Sequence, residues 1–397
     1  MRIYSASSEE TLRACKLLKD WRSEQLITEE QYERLKPETV SELRTTNIFL
    51  RIVLFLFTLI VIAAFGGLFG VTFLKEASEP ILGIFLLIYA VVCYCAAELA
   101  ASQANLYRYG IEEALALCSV ALLCLGMLLA LFSGRHLPPR ELEFLVAAAG
   151  AVFSLWIWYR FGLWYAFPAA MIFTGWVPAY WTSSRSAQHV LIAALYAIGL
   201  MCVIVLRSRH RLDYLNAAYS LAEAFLWLGI YLALNLQLSV LTFRAKWFIG
   251  DIRLASEFPA SFYWMTWVLI WCLPPLVLLR GIRQKDRLVM AVGGIVAVLT
   301  FVTNKPYLGW PRHTWDPMLL GIVLTGVVLF VRRWLARGTG GIRGGFTAAR
   351  LSAKDKDWLN VTSSVLGLVA APSAPTPSER FRFGGGASGG GGAGGEF

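Results

Sequence analysis

The sequence predicts an all-α protein, a polytopic transmembrane helix bundle of about ten spans with a small N-terminal helical hairpin and a disordered glycine-rich C-terminal tail. Of its 397 residues, 57% are hydrophobic and only 16% are charged, whereas a soluble domain carries about 25% charged residues. Runs of about twenty apolar residues recur along the middle of the chain, and a helix of that length crosses a hydrocarbon core of about 30 Å. Because lipid offers no hydrogen bonds to an open backbone, these runs are expected to be helical. The composition therefore excludes an ordinary soluble protein.

The polar N-terminus is predicted to form a cytoplasmic helical hairpin, domain 1–47. Residues 9–44 contain two short segments with apolar residues at helical spacing. Thr28 is a suitable N-cap for the second segment, and Gln31 stands three residues later, which is the spacing of a capping box. Pro37 is expected to end or bend that helix.

The segment LLKDWRSEQLITEEQYERL, residues 17–35, followed closely by the first apolar run, resembles the DUF2157 family of bacterial membrane proteins. Members have a short N-terminal helical domain of the type L…W…G-L-I-x-x-E-Q ahead of many transmembrane helices. The positions that carry the resemblance are Leu18, Trp21, Leu26, Ile27, Glu30, Gln31 and Leu35. Gln25 stands where the family pattern has a small residue. The resemblance implies a multi-pass membrane protein and supplies no catalytic residues. The hairpin is also similar to the SHOCT type of short helical module, which implies oligomerisation.

The transmembrane bundle is predicted over residues 48–335. The predicted spans, bounded by charged residues or turns, are 52–74, 80–97, 114–134, 144–159, 161–182, 186–206, 214–236, 258–279, 288–304 and 317–331. Only Arg160 and a short turn separate the fourth span from the fifth, which predicts a tight hairpin. Spans four, nine and ten are short for a bilayer, so nine or eleven spans are also compatible with the sequence.

Lysine and arginine positions predict the orientation of the bundle. Dense basic clusters lie at 207–211, 280–287 and 332–337, and ten spans place them on the same side as both termini. The loops between spans carry equal numbers of basic residues on the two sides, so the prediction depends on these clusters and the termini. The positive-inside rule then places both termini in the cytoplasm of a bacterial inner membrane. Orientation accounts for the net charge of +10, and binding to nucleic acid is not expected.

Residues 336–397 are predicted to form a flexible tail. Residues 346–370 have the composition of an amphipathic helix that lies on a membrane surface. The last stretch contains nine glycines between residues 384 and 395, and a segment with so little apolar surface is expected to be disordered.

Glu223 is the first candidate for a functional site, because it lies about ten residues into a predicted span, where a carboxylate is costly. On a helix, Asn216 and Ser220 share its face, and Tyr219 lies at the edge of that face. One hypothesis is an intramembrane polar site that binds a proton or a cation. The other, which the sequence favours, is a structural partner for an arginine of another helix.

The loop between the last two predicted spans is the second candidate, a ligand site on the outer side. Its sequence, NKPYLGWPRHTWDP, combines cations with aromatic stacking faces, which suit an anionic or glycan ligand. The candidate residues are Lys305, Tyr307, Trp310, Arg312, His313, Trp315 and Asp316. The alternative, which we favour, is an aromatic belt at the membrane interface with proline turns.

No other pattern points to chemistry. The carboxylate pairs Glu112–Glu113 and Glu141–Glu143 stand at span ends, which predicts solvated helix caps. The four histidines and seven cysteines have no metal-ligand spacing, and no nucleotide-binding or hydrolase motif occurs in a fitting context. We therefore expect neither a metal nor a cofactor.

Three classes of function remain. The first is an accessory, scaffold or assembly protein that contacts the lipid bilayer and binds a protein partner, or itself, through the 9–44 hairpin. The second is a small-solute or ion transporter built around Glu223. The third is a membrane enzyme that acts on lipid-linked substrates through the outer loops, for which the sequence names no catalytic residue. The first class is favoured.

Overall fold

The computed structural model describes residues 2–23, 25–132, 139–210, 215–238, 258–310, 313–338, 342–343 and 346–347. Within these ranges the chain is an all-α bundle of twelve helices, as predicted. The helices are α1 (Ala6–Ser23), α2 (Glu29–Leu35), α3 (Ile48–Phe73), α4 (Glu79–Ser102), α5 (Ile111–Phe132), α6 (Pro139–Phe161), α7 (Ala166–Trp181), α8 (Arg185–Arg209), α9 (Asn216–Leu234), α10 (Ala260–Gln284), α11 (Arg287–Tyr307) and α12 (Asp316–Ala336). The amphipathic helix predicted over 346–370 and the glycine-rich end lie outside the described residues, except for residues 346 and 347.

The structure divides into two compact units, Met1–Leu320 and Gly321–Phe397. In the second unit, the described residues are the remainder of α12 and an antiparallel pair of two-residue strands, β1 (Ile342–Arg343) and β2 (Phe346–Thr347). All sites discussed below belong to the first unit.

Nine helices of the described chain are long and apolar enough to cross a membrane, namely α3 to α6 and α8 to α12. The chain is therefore an integral, multi-pass membrane protein. The difference from the predicted ten is α7, which corresponds to the predicted span 161–182. Residues 162–165 form a turn, with Gly162 at φ 70°, and this leaves α7 only 16 residues.

Four pairs of consecutive helices pack most extensively, namely α4 with α5, α6 with α7, α8 with α9 and α10 with α11, while α3 packs against α5. Glycines allow the closest approaches. A Cβ on Gly83 of α4 would lie 2.3 Å from the backbone nitrogen of Ala130, and one on Gly281 of α10 would lie 2.7 Å from the Met290 side chain. Small residues at such crossings let helix backbones approach in membranes.

We call the end of the bundle where α4, α6, α8 and α10 finish and α5, α7, α9 and α11 begin the basal end, and the opposite end the distal end. Contacts at the basal end join helices that are not consecutive in the sequence. The Tyr165 hydroxyl, before α7, donates to the Glu113 carbonyl of α5 at 3.0 Å. Trp158 of α6 meets Tyr219 of α9 edge-on, with ring centroids 6.0 Å apart.

Among the described residues, two of the apolar cores are large. The larger lies mainly among α8 to α11 and includes Tyr231, Ile270 and Val296, each 0% exposed. The other lies among α4 to α7 and includes Tyr4 of the N-terminal segment. The outer faces carry large exposed apolar side chains, which contact lipid in a membrane.

The N-terminal hairpin consists of α1 and α2. The predicted capping box is present, because the Gln31 N–H donates to the Thr28 hydroxyl at 3.3 Å and the Thr28 N–H donates to the Gln31 side chain at 2.9 Å. α2 ends at Leu35, and a 3₁₀ turn containing Pro37 follows.

The connection between α1 and α2 is a Schellman motif. The Leu26 N–H donates to the Trp21 carbonyl at 2.9 Å, and the Gln25 N–H donates to the Arg22 carbonyl at 3.1 Å. Gln25 has φ 58°, a left-handed conformation that glycine adopts without the strain of a Cβ.

The chain on both sides of this hairpin binds to the basal end of the bundle. The Ile3 N–H donates to the Arg160 carbonyl at 3.0 Å, before α1 begins. After α2, the Arg44 N–H donates to the Asn105 carbonyl at 2.9 Å, and the Arg44 carbonyl accepts from the Tyr107 N–H at 3.0 Å. The hairpin is therefore held by two separate stretches of chain.

Charged residues that set the predicted ends of spans lie inside helices instead. Arg160 of α6 pairs with Glu98 of α4, and Arg51 of α3 pairs with Glu113 of α5. Pairing lets these helices extend past their charges, so they are longer than predicted. The prediction of solvated caps at Glu112 and Glu113 is wrong, because these side chains lie between elements and the residues are 0% and 3% exposed.

Candidate functional site

Glu223, the first sequence-predicted site residue, is fully buried in α9, at 0% exposure. Its two carboxylate oxygens accept hydrogen bonds from two arginines. Nη1 of Arg207, on α8, donates to Oε2 at 2.7 Å, and Nε of Arg280, on α10, donates to Oε1 at 2.9 Å. The carboxylate is thus an ion-pair partner of two neighbouring helices.

Arg207 is the centre of this site. Besides Glu223, its guanidinium donates to Asp286 and to the side-chain oxygens of Asn216 and Gln284, the last two at 3.0 Å. Ser220 donates to the same Asp286 carboxylate. We call Arg207, Glu223, Arg280 and Asp286 the basal charge cluster.

Asp286 closes the cluster and also begins α11. As the N-cap residue, its Oδ1 accepts from the backbone N–H groups of Leu288 and Val289 at 2.9 and 3.3 Å. Burial opposes ionisation of this carboxyl, but the hydrogen bond from Ser220 and the charge of Arg207 outweigh it and hold the pKa of Asp286 below its usual value. Asp286 is therefore ionised at neutral pH.

The helices explain why these side chains meet. Arg207 lies in the last turn of α8, Arg280 in the last two turns of α10, and Asp286 at the start of α11. Glu223 lies seven residues after the start of α9, about 10 Å along it, and long arginine side chains reach that depth from the basal end. Two arginines and two carboxylates give a formal charge of zero, so the cluster joins four helices without burying net charge.

The sequence-predicted partners of Glu223 are only partly brought together. Asn216 and Ser220 join the cluster through Arg207 and Asp286. Tyr219 instead stacks against His210, with centroids 5.8 Å apart, and contacts Trp158 of α6. Tyr219 thus belongs to the contact between α6 and α9.

The second candidate site, in the outer loop, is divided by the structure. Nζ of Lys305 pairs with Asp316 at 2.5 Å and lies 5.1 Å above the Trp315 ring. The rings of His313 and Trp315 stack with centroids 5.5 Å apart, and the backbone N–H of His313 donates to the Asp316 carboxylate. These four residues form one cluster at the distal end, in which the charges of Lys305 and Asp316 are already paired.

The other outer-loop residues lie elsewhere. Tyr307 is 2% exposed and points into the bundle, where its hydroxyl accepts from the Leu236 N–H at 2.7 Å and its carbonyl from the Tyr263 hydroxyl at 2.9 Å. Trp310 is exposed, at 61%. Arg312 lies outside the described residues.

A polar network at the distal end was not identified from the sequence. The Asn235 amide donates to the Tyr231 hydroxyl at 2.8 Å and to the Thr303 hydroxyl at 3.0 Å, and Thr300 contacts the same tyrosine. His189 of α8 hydrogen-bonds the Ala233 carbonyl through Nδ1 at 2.6 Å. These contacts pack α8, α9 and α11 against one another, although Nε2 of His189 is buried without a hydrogen-bond partner among the described residues.

Arg207, Arg280 and Asp286 were also not identified as site residues. The two arginines belong to clusters that the sequence explains as orientation charges. A signal existed for Asp286, because an aspartate directly before an apolar run is a typical N-cap. Among the described residues, no group of three His, Cys, Asp or Glu side chains is placed to hold a metal ion.

The described residues therefore offer the basal charge cluster, a paired outer-loop cluster and a hairpin fixed to the basal end. Compared with known proteins, the chain matches no protein family, no curated protein and no solved structure.

Proposed function

We propose that this protein is a scaffold or assembly factor of the bacterial inner membrane that recruits a protein partner through its N-terminal hairpin. The observation that carries the proposal is an exposed apolar face on that hairpin. Leu17 is 40% exposed, Trp21 43% and Leu26 66%, while Leu12 and Leu18 of the same helix are buried. Contiguous exposed apolar side chains rimmed by polar ones are typical of protein-binding surfaces. We call Leu17, Trp21 and Leu26 the hairpin face.

The attachment of the hairpin to the bundle supports this role. Hydrogen bonds from Ile3 and Arg44 fix the chain before and after it to the basal end. A partner bound to the hairpin face is therefore held at a defined place against the bundle.

The charge cluster favours a scaffold over a transporter. Both oxygens of Glu223 accept hydrogen bonds from arginines, so a cation would have to displace at least one ion pair to bind there. The outer-loop acid, Asp316, is likewise paired, with Lys305. These contacts give the candidate residues structural roles.

Surface charge supports a cytoplasmic position for the hairpin. Arg209, Arg283 and Lys285 are exposed at the basal end, the end that carries the hairpin. Cytoplasmic loops are enriched in lysine and arginine, so we place the basal end and the N-terminus in the cytoplasm.

The Gln25 backbone supports the relationship to the DUF2157 family that we propose from the sequence. Its φ of 58° is the conformation that a glycine at this position of the family pattern would favour. Leu26 and Ile27, the Leu-Ile pair of the family pattern, then lie just after the end of α1.

A photo-crosslinking amino acid placed at Trp21 or Leu26 in cells tests the scaffold role. We expect both positions to yield the same crosslinked protein, and Lys19, an exposed polar position on the same helix, to yield none. Trp21→Ser is expected to weaken that capture.

Absence of a crosslink at both positions, or equal crosslinking from Lys19, would contradict the scaffold role. Solute flux by the purified protein in liposomes that Glu223→Gln abolishes would instead establish the transporter.

A further inference from the structure

Two neighbouring carboxylates at the start of α5 are buried beneath the N-terminal segment, but only one of them is paired. Glu113 accepts from both Nε and Nη2 of Arg51, one nitrogen to each oxygen, with Nε at 2.7 Å. This two-point contact occupies the guanidinium edge that faces α5. Glu112, the adjacent residue, has no such partner.

The Glu112 carboxyl is satisfied on one oxygen only. Oε1 accepts from the Tyr109 N–H at 2.6 Å, whereas Oε2 is buried and has no donor among the described residues. The residue is 0% exposed. A buried ionised carboxylate without a partner is strongly unfavourable, and the neutral acid avoids that penalty.

Glu98 provides a useful contrast. Its Oε2 also lacks a donor among the described residues, but its other oxygen is paired with Arg160 and its side chain is 27% exposed. Water and a cation can therefore compensate the charge of Glu98. Glu112 has no exposed surface for water, and the nearby cation, Arg51, is already bound to Glu113.

Tyr4 of the N-terminal segment packs against the start of α5, where Glu112 lies. Tyr4 is 6% exposed; its hydroxyl donates to the Leu106 carbonyl at 2.8 Å, and its ring meets Tyr107 edge-on at 4.9 Å. Tyr4 belongs to the same buried apolar core as Ala116, which lies one helical turn after Glu112 on α5.

We propose that Glu112 is a proton-binding site, and that a proton on its carboxyl holds the N-terminal segment on the basal end of the bundle. When the segment lifts, water reaches the carboxyl and the proton leaves to solvent. When the segment binds again, the carboxyl takes one proton from solvent. This inference goes beyond the scaffold role and does not depend on any partner.

The sign of the pH dependence follows from proton uptake. In the pH range where Glu112 is ionised in the lifted state and protonated in the docked state, docking takes up one proton. In that window the docking equilibrium constant falls about tenfold for each unit of rising pH. Low pH therefore favours the docked hairpin.

The groups around the site do not change this sign. The titratable and charged side chains that face Glu112, or lie over it, from each packed element are Tyr4, Glu9, Arg51, Tyr107, Glu113 and Tyr165. Arg51 is bound to Glu113, and Glu9 is bound to Arg2 at 2.9 Å. Burial raises the pKa values of the three tyrosines, which stay neutral in the acid and neutral range. Glu112 is then the one carboxyl of this group without an ion-pair partner among the described residues.

Hydrogen exchange of the full-length protein in nanodiscs tests the proposal. The readout is the protection of backbone amides in residues 2–10, corrected for the intrinsic exchange rate, from about pH 5 to about pH 9. We expect protection in the wild type to fall about tenfold per pH unit within the titrating window. Glu112→Gln, which cannot ionise, is expected to stay protected at every pH.

The control is Glu10→Gln, which removes an exposed carboxylate of α1 and should keep the wild-type pH dependence. Glu112→Leu is a second variant that cannot ionise and avoids an added amide donor. Protection that does not vary with pH in the wild type would overturn the proposal, as would a wild-type slope in a folded Glu112→Gln or Glu112→Leu protein.

Discussion

Replacing Arg207 with glutamine tests whether the basal charge cluster holds α8 to α11 together. The Arg207 guanidinium donates to four side chains, two of them carboxylates. Glutamine keeps a polar group but removes the positive charge, so the cluster would retain two carboxylates and only one arginine, Arg280.

The expected loss of stability in Arg207→Gln is large, because little water reaches the Arg207–Glu223 ion pair. The Arg207 side chain is 11% exposed and Glu223 is 0% exposed, and removing one partner of such a pair destabilises a protein by about 3–5 kcal/mol. Glu223→Gln should cost less, about 1–2 kcal/mol. In that variant Arg207 keeps Asp286, and Arg280, whose side chain is 33% exposed, can be hydrated.

Equilibrium unfolding in mixed micelles, titrated with sodium dodecyl sulfate and followed by circular dichroism, measures both free energies. Arg209→Gln is the matched control, because Arg209 is exposed in the same turn of α8, and it should change stability by less than about 0.5 kcal/mol. The reasoning is refuted if Arg207→Gln costs no more than Arg209→Gln, or if Glu223→Gln costs more than Arg207→Gln.

Three other predictions use separate assays. Gln25→Gly should stabilise the hairpin by about 1 kcal/mol, because glycine accepts the positive φ without strain, and amide exchange in α1 would show the gain; lower protection would contradict it. Because the pKa of Asp286 is lowered in the folded protein, its contribution to stability is present above the ordinary aspartate pKa near 4. That contribution is lost as pH falls through the lower folded value. Asp286→Asn should therefore flatten the acid side of a plot of stability against pH. With the seven native cysteines replaced, Arg209→Cys and Trp310→Cys should react with a membrane-impermeant thiol reagent from opposite sides of the membrane, and labelling from one side would contradict the basal and distal assignment.

Helix positions follow closely from the sequence, because an uncharged run of twenty residues in lipid can satisfy its backbone hydrogen bonds within itself only as a helix. The ends of the helices do not follow from the sequence, because they depend on ion-pair partners that are distant in the chain. Glu113 lies in the first turn of a longer helix because Arg51, 62 residues earlier, neutralises it. Helical spacing alone cannot supply that pairing.

The candidate site shows the same limit. Helical periodicity places Asn216 and Ser220 on the face of α9 that carries Glu223, and both contact the basal charge cluster through Arg207 and Asp286. Arg280, a partner of Glu223, lies 57 residues away, on a helix whose position next to α9 cannot be derived from spacing. Tyr307 was predicted in a loop, but α11 continues to this residue, and the extra turn carries its side chain into the core.

The shortness of α7 has a consequence for the membrane itself. Its 16 residues rise about 24 Å, against a hydrocarbon thickness of about 30 Å. Its last residue, Trp181, stacks against Phe144 with centroids 6.2 Å apart. Phe144 lies five residues after α6 begins at Pro139, so α6 extends about 7 Å beyond the end of α7. A helix shorter than the hydrocarbon core spans it only where the bilayer thins locally, so α7 couples this protein to the thickness of its membrane through hydrophobic mismatch.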